Sequence, residues 1–179
     1  MGINTGYLTA ATTRESDEVY TPAYAVRPII KHISTFFDDD ITIWCPFDET
    51  DSNFVIELEK AGYKVIATHI NNGQDFFDYE PEQYDLIISN PPFSLKDKIL
   101  KRLNELNKPF AMLLPLPTLQ GQKRFEYLKN CQALIFDKRI NYYKNKETKE
   151  IQRGVAFASI YICKDVLNKN LIFEELEVE

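Results

Sequence analysis

Cysteine and histidine are scarce in this chain, and the few present are not arranged for metal binding or cross-linking. Cys45, Cys131 and Cys163 are odd in number and far apart, and His32 and His69 are not paired with them, so neither a metal site nor a disulfide is expected. Long apolar runs are missing as well. Nothing approaches the length that crosses a bilayer, and Met1-Gly2-Ile3-Asn4-Thr5-Gly6 lacks the basic and apolar regions of a signal peptide. The expectation is a cytoplasmic protein with no membrane partner. GxGxxG and P-loop sequences are both absent, which removes the common loops for dinucleotides and nucleoside triphosphates. Internal repeats, low-complexity tracts and linkers are absent too.

Positive charge is also in short supply, with 21 Lys and Arg against 27 Asp and Glu and a net charge of −6. That total argues mildly against a nucleic-acid partner, because phosphate neutralisation by cations supplies most non-specific affinity. The distribution says more than the total. Lys138, Arg139, Lys144, Lys146, Lys149 and Arg153 face only Glu147 and Glu150, with Tyr142 and Tyr143 interleaved. The acids gather instead at Asp38 to Asp40, Asp75 to Glu82 and Glu174 to Glu179. A phosphate-contacting loop and a solvated hairpin both account for such a patch.

What is present suffices for one domain: 179 residues, 44% hydrophobic and 13% aromatic. Residues 1–18 are polar and aperiodic and read as a flexible lead-in, leaving 19–179 as a single domain. Tyr20-Thr21-Pro22 opens a helix with Thr21 as N-cap and Pro22 at the first helical position, followed by Val26, Ile29, Ile30 and Ile33 on one face. Ile41 to Phe47 reads as a strand, Ser52 to Lys60 as a helix stopped by Gly62, and Tyr63 to His69 as a second strand. Asp85 to Ser89, Pro109 to Leu116, Ala133 to Phe136 and Val155 to Cys163 supply further strands, with helices over Lys96 to Leu106 and Lys123 to Lys129. Strands separated by helices predict an α/β fold of Rossmann-like type, with a mostly parallel sheet and an antiparallel edge from the final strands.

Asn90-Pro91-Pro92-Phe93 follows the apolar run Leu86-Ile87-Ile88-Ser89, at the C-terminal end of a predicted strand, where open α/β sheets keep their sites. An aromatic exocyclic amine is a poor nucleophile because its lone pair is delocalised into the ring. Two acceptors aimed at its N–H bonds help. The Asn90 side-chain oxygen and the Pro91 carbonyl can supply them, the prolines stiffen the turn, and Phe93 offers a face for a base.

These four residues and their placement resemble the catalytic motif of the S-adenosylmethionine-dependent amino methyltransferases, above all small phage-type DNA adenine-N6 enzymes. The resemblance covers nearly the whole chain after the lead-in. It implies a class I methyltransferase fold and S-adenosylmethionine as cofactor. The catalytic residues would be Asn90, Pro91, Pro92 and Phe93, acting on a base flipped out of the stack. It assigns Tyr20, Thr21 and Pro22, then Pro46, Phe47 and Asp48, then His69, Asp75 and Phe76 to the cofactor. Asp75 would take the adenine amine and Phe76 would pack on that ring. The loop Cys45 to Asp51 departs from the family's form: its leading Asp is Cys45, and Glu49 and Asp51 stand at the two glycines. The basic patch falls where such enzymes approach the target nucleotide, which turns Lys138, Arg139, Lys144, Lys146, Lys149 and Arg153 into candidate phosphate contacts.

The implied activity is methylation of adenine N6 in DNA. RNA remains an alternative substrate, as does a non-catalytic protein of the same fold that binds nucleic acid or protein. Fewer than forty residues separate Phe54 from Asn90 and little follows Cys163, so no target-recognition domain is expected. That points to loose recognition, a homodimer, an accessory specificity partner or a single-stranded target.

Overall fold

Leu86–Ser89 carries four consecutive buried residues, the pattern of a strand covered on both faces. The computed structural model, which describes residues 19–152 and 157–178, puts this strand (β3) in the interior of a seven-stranded sheet. The others are β1 (Thr42–Cys45), β2 (Lys64–Ala67), β4 (Phe110–Pro115), β5 (Gln132–Phe136), β6 (Ser159–Lys164) and β7 (Leu171–Glu174), in the spatial order β2-β1-β3-β4-β6-β5-β7. β1 pairs in parallel with both β2 and β3, and β3 with β4. β6 runs antiparallel between β4 and β5, and β7 closes that end parallel to β5. The mostly parallel, Rossmann-like α/β sheet is therefore present, with its antiparallel strand set two places in from β7.

β2 lies on one side of β1 and β3 on the other, so the chain reverses its direction of travel across the sheet between β1 and β3. Such a reversal opens a crevice outside the carboxyl ends of the two strands, here after Cys45 and after Ser89.

Helix α1 (Ala23–Phe36) buries Tyr24, Ala25, Val26, Ile29 and Ile33, a stripe at three- and four-residue spacing. Its start corrects the sequence reading. Pro22 occupies the N-cap position with φ −70° and ψ 151°, and no side chain caps the helix, so Thr21 lies outside it. Helix α2 (Asn53–Lys60) does have a side-chain cap, Ser52 Oγ accepting from the Val55 N–H, and it stops at Gly62 in the left-handed region at φ +96°. Helix α3 (Lys96–Leu106) turns Ile99, Leu100 and Leu103 inward, as expected. The helix expected over 123–129 is a 3-10 turn, Gln122–Arg124, followed by a single turn, α4 (Phe125–Leu128).

Trp44 anchors the core below the crevice. Its ring lies 5.4 Å from Phe76 and 5.0 Å from Tyr84, and its Nε1 donates to the buried Thr68 Oγ1 at 2.8 Å. On the far side, the Tyr161 hydroxyl donates to the Ala25 carbonyl at 2.8 Å and fastens α1 to β6. Among the described residues no helix is long and apolar enough to cross a membrane. Of the expected features, the lead-in over residues 1–18, Arg153, and Val155 and Ala156 of the late strand lie outside the described residues.

Candidate active site at the strand reversal

Asn90 is the first residue past β3, and its side-chain amide sits in the crevice. Nδ2 donates to Thr21 Oγ1 at 3.0 Å, while Oδ1 is buried and has no hydrogen-bond partner among the described residues. A buried acceptor left unmet costs about 1–3 kcal/mol, so its persistence calls for an explanation. Pro91 is buried beside it, and Pro92, at φ −61°, leads into the 3-10 turn Phe93–Leu95 that feeds α3. The motif is thus held rigidly between a central strand and a helix.

Ser89, the last residue of β3, donates its hydroxyl to Asp48 Oδ2 across the crevice. The end of β3 is therefore joined to the loop after β1 by a hydrogen bond. Asp48 is buried, and burial pushes its carboxyl up to about 6, against the opposing pull of hydrogen bonds from Ser89 and Ser52 and the charge of Lys146. Asp51, three residues on, is exposed and ion-paired to Lys146, which holds its carboxyl below the usual range. Glu49 turns the other way, accepting from Asn71 Nδ2 at 3.3 Å with His69 Nδ1 at 3.9 Å. The loop after β1 therefore presents three carboxylates, of which only Asp48 points into the buried crevice.

Several residues expected around a ligand have structural partners instead. His69 caps the 3-10 turn Ile70–Asn72 by accepting the Asn71 N–H at Nδ1, so that nitrogen is occupied. Asp75 Oδ1 accepts the Phe77 N–H at 3.0 Å and shapes the turn that follows. Phe76 is only 1% exposed, enclosed by Trp44, Phe47 at 4.9 Å and Phe77 at 5.6 Å, so it supports Phe47 and Phe77 rather than offering a face of its own. Phe93 is also buried. Phe157 meets it edge-on at 5.1 Å and Tyr142 at 6.5 Å, so a base reaches it only if these rings move.

The basic segment forms a hairpin beside this crevice. Tyr143 bridges to Ile151, the Lys144 N–H donates to the Glu150 carbonyl at 2.7 Å, and Asn145 Oδ1 accepts the Glu147 and Thr148 N–H groups at the tip. Tyr20 and Tyr143 exchange backbone hydrogen bonds at 2.8 and 2.9 Å, tying the hairpin to the chain before α1. Lys144 and Lys149 are exposed on it, and Lys138 and Arg139 are exposed just before it, Lys138 lying 3.4 Å from Asp137. Lys146 departs from the expectation of a phosphate contact, since it is spent on Asp51 of the β1 loop. Tyr142, at the hairpin base, is buried and donates to Ser159 Oγ at 2.8 Å.

Hydrogen bonds thus join Thr21 to Asn90 and Asp48 to Ser89 at the reversal, with Pro91 next to Asn90 and Pro46 on the loop of Asp48, while His69 and Asp75 serve neighbouring turns. The sequence reading missed Ser89, Asn53, Tyr142 and Phe157. Ser89 was the polar residue closing the apolar run Leu86-Ile87-Ile88, a signal available beforehand. Asn53 had none, because a polar residue at a helix start is unremarkable. Two hollows lie elsewhere. One of about 470 Å³ is bounded by Leu119, Gly121 and Phe125, and one of about 330 Å³ by His32, Lys169 and Phe173. Neither contains a candidate site residue.

No protein-family model matches the chain, and no curated protein matches it. Among solved structures, it is similar to a protein-(glutamine-N5) methyltransferase, release factor-specific, from Alicyclobacillus acidocaldarius. The identity is 11% and the TM-score 0.43, over 92% of this chain and 99% of that one.

Proposed function

We propose that the chain is an S-adenosylmethionine-dependent amino methyltransferase whose target is the N6 amine of adenine in DNA. The observation that carries this reading is the buried, partnerless Asn90 Oδ1 at the carboxyl end of β3. An acceptor kept dry and unmet is suited to an N–H that arrives with a substrate, and Pro91 puts a carbonyl on the next residue.

The crevice residues also fit a cationic cofactor. Asp48 is a buried carboxyl whose proton is held up to about 6, and a positive group arriving beside it would draw that proton off. When bound, the cofactor supplies an electrophilic methyl group: the amine nitrogen forms the N–C bond as the C–S bond breaks, and the sulfur keeps the bonding pair. The chain's part is to position. Asn90 and Pro91 hold the amine and keep electron density on its nitrogen, and water takes the proton released afterwards. Pro46, Phe47 and Asp48, on the loop after β1, would line the cofactor's place. Lys144 and Lys149 on the hairpin, with Lys138 and Arg139 before it, favour a phosphate backbone, which supports nucleic acid as the substrate class. Phe157 and Tyr142 would part from Phe93 to admit the base. A second copy or an accessory protein would then set the sequence preference.

The test is transfer of tritiated methyl groups from S-adenosylmethionine to duplex DNA, single-stranded DNA and RNA, followed by nucleoside chromatography. Label in N6-methyldeoxyadenosine, lost with Asn90→Ala, is the expected result. Label confined to RNA, or none in either nucleic acid for a protein that binds the cofactor, would overturn the assignment to DNA.

A further inference from the structure

An asparagine amide has two ends of nearly the same shape and opposite hydrogen-bonding sense. Turned one way, Asn90 presents an acceptor to an amine. Turned the other, it presents an N–H that repels one. For its free end to meet the amine, the side chain must first be held in place. Nδ2 of Asn90 donates to Thr21 Oγ1 at 3.0 Å, which tethers one end of the amide and leaves Oδ1 as the other.

Thr21 is itself held from several directions. It is 7% exposed, its carbonyl accepts from Asn53 Nδ2 at 2.7 Å, and Pro22 after it restricts its backbone to extended conformations. The preceding residue, Tyr20, is fixed by two backbone hydrogen bonds to Tyr143. The Thr21 oxygen is thereby a fixed anchor point for the Asn90 side chain. Asn53, the first residue of α2, extends the connection to the loop that carries Asp48 and Ser52.

We infer that Thr21, anchored by Asn53, is a positioning residue that tethers the Asn90 side chain in the place from which it meets the substrate amine. This differs from a cofactor contact, the role the family resemblance implies for Thr21. Its catalytic consequence rests on the methyl-transfer reading, whereas the contact between Thr21 and Asn90 does not.

The test uses the full chain carrying Thr21→Val, which keeps the shape and removes the hydroxyl, and Thr21→Ser, which keeps the hydroxyl. Three quantities are measured: kcat and KM for methyl transfer to DNA, the Kd for S-adenosylhomocysteine by calorimetry, and exchange of the Asn90 side-chain amide protons by NMR. Thr21→Val should lower kcat by about ten- to a hundred-fold, the scale of a small misplacement of a reacting group. It should leave the Kd within about twofold and speed the amide exchange, with Thr21→Ser close to wild type on all three. Asn53→Asp keeps a favourable residue in the first turn of α2 but cannot donate to the Thr21 carbonyl, and should move kcat in the same direction by less. A Thr21→Val protein with wild-type kcat, or one with normal kcat at saturation and a weakened Kd, would overturn the assignment. If wild type transfers no methyl group, the proposed function fails, and unchanged amide exchange in Thr21→Val would separately refute the positioning role.

Discussion

Asp48→Asn is expected to stabilise the protein at high pH. The Asp48 carboxyl titrates near 4 in an unfolded chain and at about 6 when folded, with burial as the chief cause. The folded protein therefore binds this proton more tightly than the unfolded chain, and stability falls as pH rises through that window. A shift of about two units corresponds to roughly 3 kcal/mol once both states are ionised. The asparagine keeps an oxygen for Ser89 and carries no charge, so it escapes this cost. Its new N–H group needs an acceptor, which reduces the gain to about 0–2 kcal/mol at pH 8. The diagnostic quantity is the change in that gain. Between pH 5 and pH 8 the folded carboxyl gives up its proton while the unfolded one has already done so, and the advantage of the variant should grow by about 1.5 kcal/mol. Urea unfolding of both proteins at the two pH values reads this as a widening of the midpoint gap by about 0.7 M, for a slope near 2 kcal/mol/M. An identical gap at both pH values, or one that narrows as pH rises, would refute the claim that Asp48 is held as a buried acid.

The same titration governs ligand binding: if the Asp48 carboxylate receives a cationic cofactor, affinity for S-adenosylmethionine should rise about tenfold from pH 5 to pH 7. Because the charge of Lys146 lowers the Asp48 value, Lys146→Gln should move the midpoint of that profile to higher pH, and an unmoved midpoint would count against the link. Lys144→Gln and Lys149→Gln should each reduce the salt dependence of DNA binding by roughly one unit of log–log slope, while an unchanged slope would remove the hairpin from the interface. Trp44→Phe removes the donor to the buried Thr68 hydroxyl and leaves a gap, and should cost about 2–4 kcal/mol in urea unfolding; a loss under about 1 kcal/mol would be too small for that bond.

Where burial dictated the residues, the fold was legible beforehand. Leu86-Ile87-Ile88 and the apolar run from Phe110 fit only a strand covered on both faces, and the switch from such runs to three- and four-residue spacing in α2 and α3 gave the crossovers. Local signals failed where several weak ones competed. Thr21 before Pro22 has the composition of a cap, yet Thr21 lies outside α1, with its hydroxyl on Asn90, a residue 69 positions away that no local rule connects to it. β7 was not expected at all, since Leu171–Glu174 is short, half-exposed and follows a polar turn, and only its pairing with β5 makes it a strand. At the candidate site, Asn90 stood out because an amide before two prolines is unusual at a strand end, whereas Asp48 was one of three acids in a loop that the sequence could not tell apart. The closure of Phe93 by Tyr142 and Phe157, and the diversion of Lys146 to Asp51, depend on how the hairpin packs across the chain, which no sequence spacing encodes.

The most direct measurement is a calorimetric titration of the purified chain with S-adenosylmethionine and S-adenosylhomocysteine. Saturable single-site binding of both at pH 7 is expected, weakening at pH 5 and surviving Asn90→Ala, whose role lies with the amine. A folded protein that gives no heat and no thermal shift with either ligand would contradict the assignment of the crevice between β1 and β3 to this cofactor.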